Sequence, residues 1–164
     1  MKQRGVTLIQ MLSALAVAVL LTQLGVPAYA RMSDDLHRAA AARDLAQALR
    51  SARSHALLQG QNVLVQPLDS DWGKGWRVLL EHNQQVLREQ RLSKPMRIMA
   101  NTGDQVKFSA LGVPLGRYNG MLFGRLELCE RTAATSLHRV VMASSGRISL
   151  RTGEPDNQSL CAGL

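Results

Sequence analysis

Lys2-Gln3-Arg4-Gly5-Val6-Thr7-Leu8-Ile9-Gln10-Met11 opens a run that carries no charge from Gly5 to Ala30, twenty-six residues in all. Among the first thirty residues only Lys2 and Arg4 are charged, and both precede the run. As a helix rising about 1.5 Å per residue, it is long enough to cross roughly 30 Å of bilayer hydrocarbon. A short basic head stays in the cytoplasm, so everything after Arg31 is expected to face outward. Pro27 should kink such a helix without preventing insertion. Ala28-Tyr29-Ala30 has the small-x-small form of a secretory cleavage site, which would release a soluble protein beginning at Arg31. The apolar stretch, however, exceeds the usual length of about 7–15 residues in a signal peptide.

Past this run the chain turns amphipathic. Met32, Leu36, Ala39, Ala42, Leu45, Leu49, Ala52 and Ala56 recur at steps of three and four, one apolar helical face, with Arg38, Arg43, Arg50 and Arg53 largely off it. The helix is expected to continue the apolar segment past Pro27 and to stop at Gly60. After Gly60 the period shortens to two. Asn62–Gln66 and Trp76–Glu81 read as strands, separated by Pro67, Asp69, Asp71 and Gly73, and Gln84–Leu92 reads as the return strand of a hairpin. Met96–Ala100, Gln105–Ala110, Met121–Glu130, Leu137–Ala143 and Arg147–Arg151 are further strands. A long helix followed by seven or eight short strands is an α+β pattern. At 164 residues there is room for one compact head and not for two domains of ordinary size.

The charge is uneven too. Residues 31–164 hold 18 of the 20 basic side chains and all 12 acidic ones, and sixteen of the twenty are Arg. The formal net charge of +8 falls to +6 without the first five residues. Such an excess favours polyanions such as nucleic acid or lipid headgroups, and the forked donors of Arg suit phosphate. A solvated basic surface with no partner fits the same numbers. Cys129 and Cys161 are the two cysteines. Outside the cytoplasm so sparse a pair reads as one disulfide, and inside it as two buried thiols.

Catalytic and metal signatures are lacking. His37, His55, His82 and His138 are scattered without metal-ligand spacing, and no nucleophile elbow or phosphate-cradling glycine loop occurs. The chain is therefore read as a non-enzyme with no cofactor and no metal. The C-terminal third is more informative: between residues 117 and 151, Arg117, Arg125, Arg131, Arg139, Arg147 and Arg151 face only Glu127 and Glu130, a local excess of +4. In Gly146-Arg147-Ile148-Ser149-Leu150-Arg151, alternation puts Ile148 and Leu150 inward and Arg147, Ser149 and Arg151 outward. The two arginines then stand about 13 Å apart at roughly 3.3 Å per residue, near twice the phosphate spacing of a nucleic-acid backbone. The same pattern also describes an Arg-edged outer strand guarded against edge pairing. Trp72, Trp76, Tyr118 and Phe123 are able to stack on bases, but in so aromatic-poor a chain core or turn roles come first.

Several of these stretches carry one resemblance. Arg4-Gly5-Val6-Thr7-Leu8-Ile9 resembles the class III leader of type IV pilins and type II secretion pseudopilins. Leu45–Gly60 with Val63-Leu64-Val65, Phe108-Ser109-Ala110-Leu111-Gly112, Gly124–Cys129 and Arg139–Arg147 resemble, in that order, segments of the GspH/FimT family, closest to the FimT-type minor pilin. The resemblance implies a prepilin leader over residues 1–5, cut after Gly5, with methylation of the new Val6 amine. It implies a membrane and filament-core helix over 6–30 and a periplasmic pilin-like α+β head over 31–164, with the helix packed on an antiparallel sheet. Its partners would be prepilin peptidase, other pilins or pseudopilins, and the inner membrane before assembly into a pilus at the cell surface. One position departs from the pattern: Gln10 stands where the family usually carries a Glu, which suits a minor, initiating or tip subunit better than a repeated one.

FimT-type minor pilins that act in DNA uptake for natural transformation carry a Gly-Arg-x-Arg motif near the C-terminus. Gly146-Arg147 matches its first half, Ser149 replaces the second Arg, and Arg151 follows two residues later. The resemblance therefore implies DNA binding through Arg147 and Arg151, with Arg139, Arg125 and Lys107 as basic neighbours. Contact of this kind would be to the backbone, independent of sequence and sensitive to salt. The other reading is a minor type II secretion pseudopilin acting purely in filament assembly.

Overall fold

The computed structural model describes residues 7–116, 118–131, 135–153 and 158–162. Gly5, Val6 and Arg117 lie outside them. The chain divides into two compact units, Met1–His37 and Arg38–Leu164. Helix α1 spans Leu8–Gln59 and includes Pro27.

The first unit holds the apolar part of α1. An 18-residue window there is apolar enough, by length and composition, to cross a membrane, and none of it is buried. The helix starts with a cap: Thr7 N–H donates to Gln10 Oε1 at 3.0 Å, and Met11 N–H donates to the Thr7 carbonyl at 3.2 Å. Gln10 thus uses its amide oxygen to satisfy a backbone donor that a helix start leaves without a partner. Met32 and Leu36, expected on the packed face, are 62% and 59% exposed instead.

The second unit is built on the rest of α1. Ala39, Ala42, Leu45, Leu49, Ala52 and Ala56 are buried, as the spacing predicts, and Ala41, Ala46 and Ala48 widen the stripe. Most of these are alanines, and all but Ala39 share one core cluster with residues of both sheets. Leu45 and Leu49, fully buried, each contribute about 1.5–3 kcal/mol by removal from water. The helix ends where expected. Gly60 takes φ +63°, and Gln61 N–H donates back to the Ala56 carbonyl at 3.3 Å, a Schellman-type close.

Nine strands follow among the described residues: β1 Val63–Leu68, β2 Asp71–Leu80, β3 Val86–Arg91, β4 Ile98–Ala100, β5 Val106–Phe108, β6 Pro114–Leu115, β7 Gly124–Leu128, β8 His138–Met142 and β9 Ile148–Thr152. All pairings are antiparallel, in two sheets ordered β3-β2-β1-β5-β6 and β4-β7-β8-β9. The core gathers the α1 stripe with Val63, Val65, Trp72, Trp76 and Phe108 from the first sheet and Leu126, Leu128, Val140, Met142 and Ile148 from the second. Both tryptophans are core residues, whereas Tyr118 and Phe123 are exposed.

One segment differs from its sequence reading. Pro67, Asp71 and Gly73 do not form a loop. Pro67 lies in β1 opposite Trp76, Asp71 begins β2, and the turn shrinks to Asp69 and Ser70 at φ 50° and 59°. Pro67 is tolerated because β5 pairs only with Val63–Val65, so no neighbour on that side asks for its N–H. Gly73 marks a close approach: a Cβ there would lie 1.7 Å from the Met96 carbonyl oxygen.

The end of the chain returns to the second sheet. Leu160–Ala162 forms a short 3-10 helix, and Cys129 is disulfide-bonded to Cys161 with an S–S distance of 2.01 Å. No free cysteine remains.

Candidate nucleic-acid interface

Alternation sorts the second sheet into two faces. Leu126, Leu128, Val140, Met142 and Ile148 face the core, so Arg125, Glu127, Arg139, Val141, Ser149 and Arg151 take the opposite face. Register places Arg151 directly opposite Arg139, and Arg139 opposite Glu127. Two arginines facing each other across a ladder work against pairing, whereas Glu127 on the other side of Arg139 favours it.

The face is covered at one side and open at the other. Over β7, Glu127 is 1% exposed. Its Oε1 lies 3.2 Å from Arg125 Nε, and its Oε2 accepts from the Ser159 hydroxyl at 2.7 Å and from Leu160 N–H at 2.9 Å. Arg125 Nη2 also donates to the Gln158 carbonyl. Arg125 therefore braces the returning C-terminal segment that the disulfide ties down. At the β9 edge, Arg147 and Arg151 are exposed, and neither forms an ion pair among the described residues. Arg139, between the two settings, is half-buried and holds polar contacts of its own.

Lys107 lies elsewhere. It sits in β5 of the first sheet opposite Leu64, is buried, and its Nζ is 2.9 Å from Glu81 Oε1. Hydrogen bonds from Lys107 and Asn62 hold the Glu81 carboxyl below its ordinary value of 4.5, against a smaller opposing effect of burial. Of the five basic residues expected at the interface, the fold thus brings Arg147, Arg151 and Arg139 to one sheet edge. Arg125 is drawn into the Glu127 clamp, and Lys107 is committed to Glu81.

Two arginines that the sequence reading left on the solvent side of the helix join the edge instead. The β8–β9 loop turns through Ser144, Ser145 and Gly146, closed by Gly146 N–H to the Ala143 carbonyl at 2.8 Å, with Gly146 at φ +81°. Arg53 Nε donates to the Gly112 carbonyl at 3.0 Å and its Nη2 to the Ser145 carbonyl at 3.3 Å. Arg50 Nη2 donates to the Ile148 carbonyl at 3.2 Å. An open cleft of about 460 Å³ results, lined by Arg50, Arg53 and Ser54 of α1 and by Ser145–Ile148. The i, i+3 spacing of Arg50 and Arg53 puts both on one side of the helix. Nothing in the sequence, however, pairs that side with the loop around Gly146. Among the described residues, no group of three or more His, Cys, Asp or Glu has the arrangement to hold a metal ion.

The matching family model, described as Type II transport protein GspH, spans residues 41–146, from the buried stripe of α1 to the glycine of the β8–β9 loop. The chain belongs to the GspH family. It also shares its fold with the type IV minor pilin FimU of Pseudomonas aeruginosa PAO1. One crystal form of FimU superposes with a TM-score of 0.63 at 20% identity, covering 77% of this chain and 97% of that one. A second form gives 0.57 at 21% identity, covering 72% and 96%. No curated protein matches the sequence. This GspH-family chain is therefore a minor pilin or pseudopilin, with the long N-terminal helix and antiparallel sheets of a pilin-like fold. The family and fold are those of structural pilins, whose apolar N-terminal helix is compatible with membrane anchoring and with assembly beside other pilins.

Proposed function

We propose that this GspH-family chain is a minor type IV pilin whose head takes up DNA by contacting the phosphate backbone along the β9 edge. The observation that carries this reading is the pair Arg147 and Arg151, both exposed and without an ion pair among the described residues. Arg139, opposite Arg151, adds a third charge to the same edge. An edge of this kind binds without sequence preference, and affinity falls steeply with salt as counterions are released. The reading includes cleavage by prepilin peptidase after Gly5, methylation of Val6, a single membrane span over 6–30, and a periplasmic head over 31–164 that enters a pilus.

The test is duplex binding by the full chain in non-ionic detergent across a salt series, beside Arg147→Gln/Arg151→Gln. The expected result is a dissociation constant of roughly micromolar order at low salt, lost in the double variant. Absence of binding at low salt removes the DNA function and leaves a subunit of filament assembly, in a pilus or in type II secretion. Binding that survives the double variant keeps the partner and moves the site. A mature mass beginning at Val6 tests the processing step; one beginning at Arg31 overturns it.

A further inference from the structure

The cleft beside Gly146 carries an inference that rests on the DNA reading and deepens it. We propose that Arg50, Arg53 and Arg147 form one built seat for a phosphodiester group, and that the helix, not only the β9 edge, holds the backbone of bound DNA.

Charge makes the first argument. The cleft is lined by three arginines and no carboxylate. Three like charges drawn into one open concavity repel one another in the free protein, and no carboxylate in the lining neutralises them, only backbone carbonyl dipoles. A bound phosphate neutralises them.

Geometry makes the second. A guanidinium has five N–H donors in a planar fork, and each carbonyl contact here engages one of its nitrogens. The Gly112 and Ser145 carbonyls hold Arg53 through Nε and Nη2, and the Ile148 carbonyl holds Arg50 through Nη2. These bonds hold Arg53 at two points and Arg50 at one, and leave donors on each fork and the full charge unused. The result is a partly pre-ordered pair of forks just under one helical turn apart, a rise of about 4.5 Å. Pre-ordering spares the side-chain entropy that two free arginines would lose on binding a phosphate.

Gly146 is the third. A Cβ at this position would lie 2.5 Å from Arg53 Nε and 2.5 Å from the Gly112 carbonyl oxygen. A side chain there would occupy the space in which the Arg53 fork meets the loop. The glycine thus serves the seat as well as the φ of +81° that its turn requires. The next residue, Arg147, begins the exposed edge that runs to Arg151, so a phosphate in the cleft and a second one further along belong to one backbone.

The experiment compares four full-length proteins in non-ionic detergent, binding a short mixed-sequence DNA duplex over a salt series. They are wild type, Arg50→Gln/Arg53→Gln, Arg50→Lys/Arg53→Lys, and the charge-matched control Arg43→Gln/Arg88→Gln, whose arginines are exposed and outside the cleft. The seat predicts that Arg50→Gln/Arg53→Gln weakens binding at least about tenfold and lowers the salt slope by about one to two counterions, while the control changes both far less. The Lys pair keeps the charge and loses the fork, so it retains the slope and recovers only part of the affinity. Retained slope in the Gln pair overturns the seat and leaves the β9 reading standing. An equal loss in the control also overturns it, in favour of a diffuse basic field. No duplex binding by wild type at low salt overturns both readings, and capture on phosphatidylglycerol vesicles in that case names a lipid surface as the partner. Melting temperatures separate these outcomes from unfolding. If the Gln pair is unfolded, the folded Lys pair decides: affinity and slope both equal to wild type overturn the forked seat.

Discussion

Arg125 and Arg151 lie on the same face of the same sheet, two strands apart, and their surroundings are opposite. Arg125 is 3.2 Å from a carboxylate that is itself only 1% exposed, beneath a chain end tied down by a disulfide. Arg151 sits on the edge strand, exposed, with no ion pair among the described residues. Both count equally in the formal charge of +8. Only burial and a carboxylate turn one of them into part of the frame, and their absence leaves the other available to a partner. Net charge alone cannot rank candidate contacts.

The contrast breaks most readily at Glu127. Glu127→Ala leaves Arg125 partly buried beside no carboxylate and removes the acceptor of Ser159 and Leu160. We expect a loss of about 3–5 kcal/mol in urea unfolding of the oxidised full chain. A loss under about 1 kcal/mol would mean the clamp holds nothing down. The disulfide is the next test. Its closure of a separation of 32 residues is worth roughly 3–4 kcal/mol in the chain-entropy model, so Cys129→Ala/Cys161→Ala should lower the unfolding midpoint accordingly. The double variant should also speed hydrogen exchange at Leu160, whose N–H donates to Glu127.

Gly146→Ala sharpens the other side of the comparison. The left-handed backbone costs about 1–2 kcal/mol for any L side chain, and the new methyl displaces Arg53. Thermal melting reads the first effect and DNA affinity the second.

A smaller effect concerns the first sheet, where Lys107 repeats the Arg125 situation with Glu81. The folded Glu81 carboxyl is held below its ordinary 4.5, so its contribution to stability is present above that pH and is lost as pH falls through the lowered value. Glu81→Gln should flatten the acid limb of a stability profile below about pH 4.5, and an unchanged limb would show the pair to be fully screened by solvent.

Arg151→Gln is expected to change least in stability, within about 0.5 kcal/mol, because nothing among the described residues leans on it. Its effect should be confined to DNA binding, which weakens while its salt slope falls by about one. A clear loss of stability would erase the difference from Arg125.

Local signals in the chain matched the fold wherever one period ran undisturbed. The stripe from Ala39 to Ala56 and the stop at Gly60 are visible because a helix repeats its buried face every three or four residues and ends well at glycine. Eight of the strands lie where the sequence reading places one, with β2 starting five residues earlier, whereas β6 at Pro114–Leu115 is too short to alternate. Gly73 read as a turn because glycine marks both turns and close contacts, and only the position of the Met96 backbone distinguishes the two. Met32 and Leu36 continue the stripe by spacing, yet both are exposed.

At the candidate interface, Gly146-Arg147 and the outward Arg151 were legible from alternation, and the Cys129–Cys161 bond from the small number of cysteines. The commitment of Lys107 to Glu81 was not, because register brings together strands whose partners lie 26 residues apart. Arg53 and Ser145 are 92 residues apart, and no local pattern links them.

By itself the sequence determined the uncharged N-terminal helix, the helix-then-strands order and the outward side of β9, since each depends on residues within a turn or two of one another. Only the tertiary structure decided which arginines are spent on the frame and which remain, because a salt bridge or a cleft depends on distance in space. Packing α1 beside the β8–β9 loop brought Arg50 and Arg53 to Arg147. Folding the chain end over β7 gave Arg125 to Glu127.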